Sequence, residues 1–293
     1  MCGVPQGTPP RNPSTALILR KISRSSYRQK GTMPVKILFI GDVIGKPGRQ
    51  ALSRELDRLV DRHSVDLVVV NGENAAGGFG LTLETAKELF DMGVHCITSG
   101  NHIWDKKEQV PLVLADPRII RPANYPEGVP GAGSALFTTP GGVRIAVLNL
   151  EGRVFMKYLD CPFRSADREI ERLKKETPII FVDFHAEATS EKAALGWYLD
   201  GRASAVIGTH THVQTADERI LTQGTAYMSD AGMTGSFDSV IGIGKEDAIR
   251  KFLTQLPVKF EVPKKDMRLN GVVVGIDETS GKAVSIERIA ISC

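Results

Sequence analysis

A chain of 293 residues can fill one large domain or two small ones, since a single core grows to roughly 250 to 300 residues before it splits. Its 42% hydrophobic and 24% charged residues are ordinary for a soluble globular protein. The formal charge of +3 is unevenly spread: residues 1–32 hold six basic residues (Arg11, Arg20, Lys21, Arg24, Arg28, Lys30) and no acidic one. Taking those six charges from +3 leaves the remainder near −3, which gives no basic face for nucleic acid.

The leader, residues 1–32, is rich in Pro, Ser and Arg, and its one apolar run, "ALIL", is too short for a signal-peptide core or a membrane span. It reads as a disordered extension or a start upstream of Met33, with an Arg/Ser-rich targeting segment as the other reading. Residues 33–293 are expected to form a single domain. The four cysteines, Cys2, Cys96, Cys161 and Cys293, are far apart and form no C-x-x-C, as expected of reduced thiols in a cytoplasmic protein.

The body opens with "VKILFIGDV" (35–43), a continuous apolar run of the kind a strand covered on both faces shows. Residues 47–63 then carry apolar side chains at helical spacing, with Pro47 and Gly48 at the entrance. "VDLVVVNGENAAGG" is a second buried strand running into a Gly-rich loop; residues 82–93 read as a helix capped by Thr82 and stopped by Gly93; "HCITSG" is a third strand. "GVRIAVLNLEG", "TPIIFVDFHAE", "ASAVIGTHTH" and "GTAYMSDAG" continue as strands, with a helix at 191–201. The final alternating stretch, 269–289, turns at "TSGK" and predicts an antiparallel hairpin. The order of elements predicts one α/β domain with a mixed sheet system.

Polar residues able to hold a metal recur where these strands end: Asp42, Glu73 with Asn74, Asn101 with His102, His185, and His210 with His212. Sites assemble at strand ends because the loops there converge from distant parts of the sequence. Singly each has an ordinary reading: Asp42 as a turn former, Glu73 as a solvated loop carboxylate, lone histidines such as His63 and His95 as surface or core residues. If His210-Thr211-His212 is extended, its alternate residues put two imidazoles on one side. With Asp42, Glu73, Asn101 and His185 that makes six N/O donors. Carboxylate and imidazole without thiolate suit iron, manganese or zinc. Two ions sharing a carboxylate are the natural arrangement for so many donors, and two-metal sites serve phosphate-ester hydrolysis.

"GDVIGKPGR", "NGENAAGGFGLT", "TSGNHIWD", "FHAEATSEK" and "GTHTHVQTADERIL", in that order from about Lys36 to Ile289, resemble the calcineurin-like metallophosphoesterase superfamily. Within it they are similar to the YmdB-type 2′,3′-cyclic nucleotide phosphodiesterases. Two departures from the broad superfamily point the same way: its usual D-x-H is here Asp42-Val43-Ile44, and its bridging Asp is here Glu73, followed by Asn74. The resemblance implies a four-layer αββα sandwich of two mixed sheets flanked by helices. It also implies one metal on Asp42, Glu73, Asn74 and His212, and a second on Glu73, Asn101, His185 and His210. The implied activity is hydrolysis of small cyclic nucleotides, 2′,3′-cyclic monophosphates to 3′-monophosphates, by a hydroxide held between two ions, iron or manganese first and zinc as an alternative.

Gly100 then reads as the sharp turn that delivers Asn101 to a metal, leaving His102 beside the ions as candidate general acid, or else as a residue that orients a ligand. Asp105 reads first as a helix cap, second as a support for His102. Arg49 and Arg121 are candidate phosphate contacts; Trp104, Phe79 and Tyr125 could stack on a base but more commonly would pack. The Gly- and Ser-rich segment 229–242 reads as a loop shaping the substrate pocket. The expected partner is a small cyclic nucleotide, with neither membrane nor nucleic acid and with a homo-oligomer allowed. The rival readings are a phosphomonoesterase or nuclease with the same metals, and a slow-turnover nucleotide sensor.

Overall fold

The computed structural model describes Leu17–Ile18 and residues 33–293. With strands numbered in chain order, one sheet runs β1 (Leu17–Ile18), β6 (Ser134–Thr138), β7 (Arg144–Glu151), β8 (Ile180–His185), β9 (Ala205–Thr209), β11 (Ala226–Met228), β10 (Arg219–Ile220) across its width. The other runs β3 (Asp42–Val43), β12 (Met233–Ser236), β13 (Met267–Ile276), β2 (Val35–Ile40), β4 (Leu67–Asn71), β5 (Cys96–Thr98), and β14 (Ala283–Ser292) pairs with β13. Both are mixed: β2–β4–β5 and β7–β8–β9–β11 are parallel, whereas β6–β7 and β12–β13–β2 are antiparallel.

The continuous apolar runs follow from covering each sheet on both faces. In β2, Leu38 and Ile40 pack with buried side chains of helices α1 (Gly45–His63) and α2 (Leu83–Asp91), while Ile37 and Phe39 meet Phe137, Val147, Phe181 and Ile207 of the facing sheet. Strand β8 does the same in mirror order: Phe181 faces the other sheet, and Ile180, Val182 and Phe184 face helices α4 (Pro162–Leu173) and α5 (Thr189–Tyr198). Three hydrophobic layers between four structural layers make the αββα sandwich. Phe39 and Phe181 meet across the middle with ring centres 5.2 Å apart. Truncating such a ring to Ala costs about 3–5 kcal/mol, from lost burial and the cavity left behind.

Local signals account for several boundaries. Thr82 caps α2 through a reciprocal capping box with Thr85, and the 277–282 turn joins β13 to β14 in a hairpin. Strand β6 and helices α4 and α6 (Lys245–Thr254) are absent from the sequence reading: α4 opens on Pro162 and sets Phe163, Ala166, Ile170 and Leu173 at helical spacing within a charged run, and α6 buries only Ala248. Residues 233–236, read as part of a loop, instead form buried β12, which pairs with β3 and β13. The disorder expected of the leader falls on residues outside the described set, apart from Leu17–Ile18. That pair, in a leader not expected to join the fold, lies parallel to Phe137–Thr138 of β6.

Candidate metal centre

Both sheets end their parallel strands at one edge, and the polar residues meet there. Asp42 opens β3, Glu73 and Asn74 follow β4, Asn101 and His102 begin a 3₁₀ turn (Asn101–Trp104) after β5, His185 closes β8, and His210 and His212 follow β9. Gly100 has an extended φ of −160°, which any residue adopts, so the turn itself does not require glycine. The close approach of His185 does: a Cβ on Gly100 would overlap the imidazole ring.

His185, His210 and His212 each have one nitrogen occupied from behind and the other turned inward. His212 Nδ1 donates to the Ile241 carbonyl at 2.8 Å; a carbonyl only accepts, so Nε2 keeps its lone pair. His185 Nδ1 lies 3.0 Å from Thr209 Oγ1, whose hydroxyl donates to Asp183 Oδ1 at 2.7 Å, so the imidazole supplies the proton to Thr209 and presents Nε2. His210 Nε2 is 3.1 Å from the Glu187 carboxylate, leaving Nδ1 inward. Outer partners of this kind set the tautomer and the aim of metal-binding imidazoles.

The inward atoms form two groups. Glu73 Oε1, Asn101 Oδ1 and His210 Nδ1 each lie 3.0 Å from His185 Nε2, and ligand atoms of Glu73, His185 and His210 all lie within 4.8 Å of one another. A single cation can satisfy donors that converge this closely; one proton on Nε2 cannot. The second group is looser: His212 Nε2 is 3.9 Å from Asp42 Oδ1 and 3.3 Å from the Asn74 amide nitrogen. Among the described residues, Asp42 Oδ1 and Asn74 Oδ1 are buried and accept no hydrogen bond. A buried lone pair without a partner costs free energy that a cation would recover. Glu73 lies between the groups, with Oε2 accepting the His102 N–H at 2.9 Å.

The electrostatics agree. Burial pushes the Asp42 carboxyl up, more than His212 and His185 pull it down. Burial would also raise Glu73, but His185 and His102 hold it at about 2. His185, which burial would lower, is pushed up to about 9 by Glu73, Asp42 and Asp183. Burial and the charge of His185 bring His210 down to about 3. Two buried carboxylates and the imidazoles around them thus interact strongly, and His185 and His210 disfavour being charged together.

The loop holding two of the histidines is not extended. β9 ends at Thr209, and His210 and His212 take φ of 103° and 66°, so two left-handed residues, not strand alternation, bring the imidazoles inward. A buried pair beneath this loop holds its middle: Lys192 Nζ donates to Asp230 Oδ2 at 2.6 Å, and the same oxygen accepts the Thr211 N–H and hydroxyl. Asp183 ties the two sheets together behind His185, accepting from Thr98 and Asn71 of one sheet and Thr209 of the other. The sequence reading missed Asp183, Thr209, Glu187, Asp230 and Lys192. Asp183 carried a usable signal, a carboxylate two residues before His185 inside a buried run; the others had none.

The remaining candidates separate cleanly. Asp105 does not cap the helix that follows, since α3 (Val110–Val113) starts from Gln109; it closes the Asn101–Trp104 turn, and its Oδ2 lies 2.7 Å from His102 Nδ1. Arg49 binds Glu88 and the Ala75 carbonyl, and Arg121 the Pro122 and Pro130 carbonyls, so both brace backbone or neighbours. Trp104 packs on Tyr125, whose hydroxyl donates to Glu151. His63 and His95 are core or edge residues, as expected; His95 Nδ1 accepts the Val68 N–H. Phe79 lines the cleft over the centre beside His102, and Ile241 and Gly242, at the end of the segment 229–242, form part of its wall with Ile243.

The family model described as YmdB-like protein matches residues 38–289. The 2′,3′-cyclic-nucleotide 2′-phosphodiesterase of Bacillus subtilis is 52% identical over 258 residues, covering 88% of this chain and 97% of that protein. A crystal structure of a hypothetical protein from Thermus thermophilus superposes with a TM-score of 0.83 at 41% identity, covering 88% of this chain and 99% of that one. That of a novel phosphatase from Mycoplasma pneumoniae gives 0.84 at 38% identity, covering 89% and 95%. With its two-sheet architecture of the calcineurin-like phosphatase type and a family match along nearly the whole body, the chain belongs to the YmdB-like protein family.

Proposed function

We propose that this protein is a two-metal phosphodiesterase that opens 2′,3′-cyclic nucleoside monophosphates to nucleoside 3′-monophosphates. The observation that carries the reading is the set of three histidines, each locked from behind and aimed at buried carboxylate and amide oxygens. One ion would be held by Asp42, Glu73, Asn74 and His212, the other by Glu73, Asn101, His185 and His210. Hard oxygen and imidazole donors suit iron or manganese, with zinc as the alternative. When bound, two such ions supply Lewis-acid charge to the phosphoryl group and lower the pKa of nearby water.

His102 completes the chemistry. Its Nδ1 is held by Asp105, so the proton to be transferred sits on Nε2, in a side chain that lines the cleft. As the oxygen of a water that has lost one proton to solvent adds to phosphorus and the P–O2′ bond breaks, Nε2 gives its proton to O2′ and the phosphate stays on O3′. The name of the Bacillus relative, a 2′-phosphodiesterase, supports this direction of opening. Asp105 keeps the ring oriented. The Mycoplasma neighbour described as a phosphatase favours a second reading, hydrolysis of phosphomonoesters at the same centre. Widely spaced cysteines without a pairing pattern support a cytoplasmic setting. Among the described residues no helix is long and apolar enough to cross a membrane.

The two readings part when one metal-loaded sample is given 2′,3′-cyclic AMP, 3′,5′-cyclic AMP and p-nitrophenyl phosphate. Preferential release of adenosine 3′-monophosphate from the first supports the diesterase; preference for the monoester transfers the assignment to a phosphatase. A sensor would bind the cyclic nucleotide and return it unchanged.

A further inference from the structure

The cleft above the metal centre, about 270 Å³, has two unlike sides. Its floor is polar: Glu73, His210, Thr211 and His212, with His102 beside them. Its remaining lining is mainly apolar, built by Phe79 after β4, Ile241 and Ile243 after β12, and Phe260 and Val262 after α6. Phe79 stands edge-on to His102 with ring centres 5.0 Å apart, and the Phe260 ring centre is 6.3 Å from that of Phe79. A phosphodiester needs only the floor. An aromatic and aliphatic wall left partly open at the mouth of a catalytic centre has no use in the chemistry itself, and the molecule keeps five such side chains there, four half-buried and Ile241 exposed.

We infer that this wall is the subsite for the nucleobase, with Phe260 as its main stacking surface. The inference rests on the reading of the floor as a cyclic-nucleotide phosphodiesterase and adds what that reading lacks, the group that selects a nucleotide over any small cyclic phosphate. Three observations converge. The apolar side chains are continuous with the floor in one cleft, so a ligand with its phosphate below presents its planar end to them. The wall's nonpolar groups read a π-face and not a hydrogen-bond pattern, which makes the subsite tolerant of base identity and favours purines by stacking area. The charged groups that line the cleft beyond the floor histidines and Glu73 are Glu187 and Glu261; among the described residues no lysine or arginine lines it, and Lys251 lies over the Phe260 ring, 4.8 Å from its centre, without lining the cleft. A second phosphate would therefore meet carboxylates and find no partner. The site takes a nucleoside carrying a single cyclic phosphate, and discriminates against an oligonucleotide ending in one.

The test compares kcat/KM for 2′,3′-cyclic AMP with that for glycerol 1,2-cyclic phosphate, which has the cyclic diester and no base. For Phe260→Ala this ratio falls about tenfold, the scale of one lost base–aromatic stack, mainly through KM for the nucleotide. Phe260→Trp restores it. An unchanged ratio in Phe260→Ala overturns the subsite, as does an equal loss on both substrates with no rescue by Trp. Should the wild-type protein hydrolyse neither substrate, the phosphodiesterase reading fails on its own. Calorimetric binding of adenosine 3′-monophosphate to wild type and Phe260→Ala then decides the subsite: weakening in the variant supports it, and equal affinity refutes it.

Discussion

The two halves of the centre are built to different standards. Around His185, donors from both sheets converge within 3.0 Å of a single nitrogen, and the ring is fixed by Thr209 and Asp183 inside a fully buried network. Around His212, the partners lie 3.3 and 3.9 Å away, two oxygens accept nothing, and the ring hangs from a left-handed loop residue tied to the Ile241 carbonyl in the cleft wall. Preorganisation thus follows what stands behind the donors: Thr209 and Asp183 fix His185 from the buried layer, whereas His212 is tied to a carbonyl of the cleft wall. The half-site whose donors already converge arrives nearly in position, whereas the looser one needs its ion to draw it together, so the first should bind more tightly.

The contrast vanishes at the residue the halves share, and there the largest effect is expected. Glu73→Gln should strip or loosen both ions and remove turnover; elemental analysis finding full occupancy at normal rate would end the bridging role. Next in size is His102→Ala, which should keep both ions and lower kcat by about 10² to 10⁴-fold; loss of metal instead would make His102 a ligand or a ligand support. Thr209→Val removes the hydroxyl behind His185 at nearly constant volume. It should weaken the tighter ion by about 10- to 100-fold in a chelator-competition titration while leaving the His212 half close to wild type. Equal weakening of both would show that the network serves the fold in general. The smallest change is expected for Asn74→Ala, confined to the looser ion and measurable as a higher manganese concentration for half-maximal rate. An effect on the tighter ion would mean that the halves are not separable.

Legibility in the sequence divides along similar lines. Helix α2 is legible because Thr82, the apolar spacing and Gly93 all act locally, and the β13–β14 hairpin because a turn sequence separates two strand-like runs, although β13 is buried continuously and does not alternate as expected. The packing of two sheets is not, since the run Val35–Ile40 looks the same whether a helix or a second sheet covers its far face; it came from the motif resemblance. Every ligand candidate is visible as a polar residue at a strand end, yet the expected reasons fail in three places. Gly100 is needed for the approach of a ring carried by β8, His210 and His212 converge through left-handed backbone, and Asp105 faces His102 instead of capping the next helix. The first two depend on how elements distant in sequence meet, and the third on where the next helix begins. Distance in sequence also hides Asp230 and Lys192, whose pairing holds Thr211 from 19 residues away on the Asp230 side.

Two unequal half-sites acting together as a phosphodiesterase should show themselves in a stepwise manganese titration of chelator-stripped protein, with binding followed by calorimetry and 2′,3′-cyclic AMP hydrolysis assayed at each step. Two ions per chain with separated affinities are expected, and release of adenosine 3′-monophosphate that rises only as the second ion binds. Saturation by one ion at full rate, or two ions bound with no hydrolysis, would contradict it.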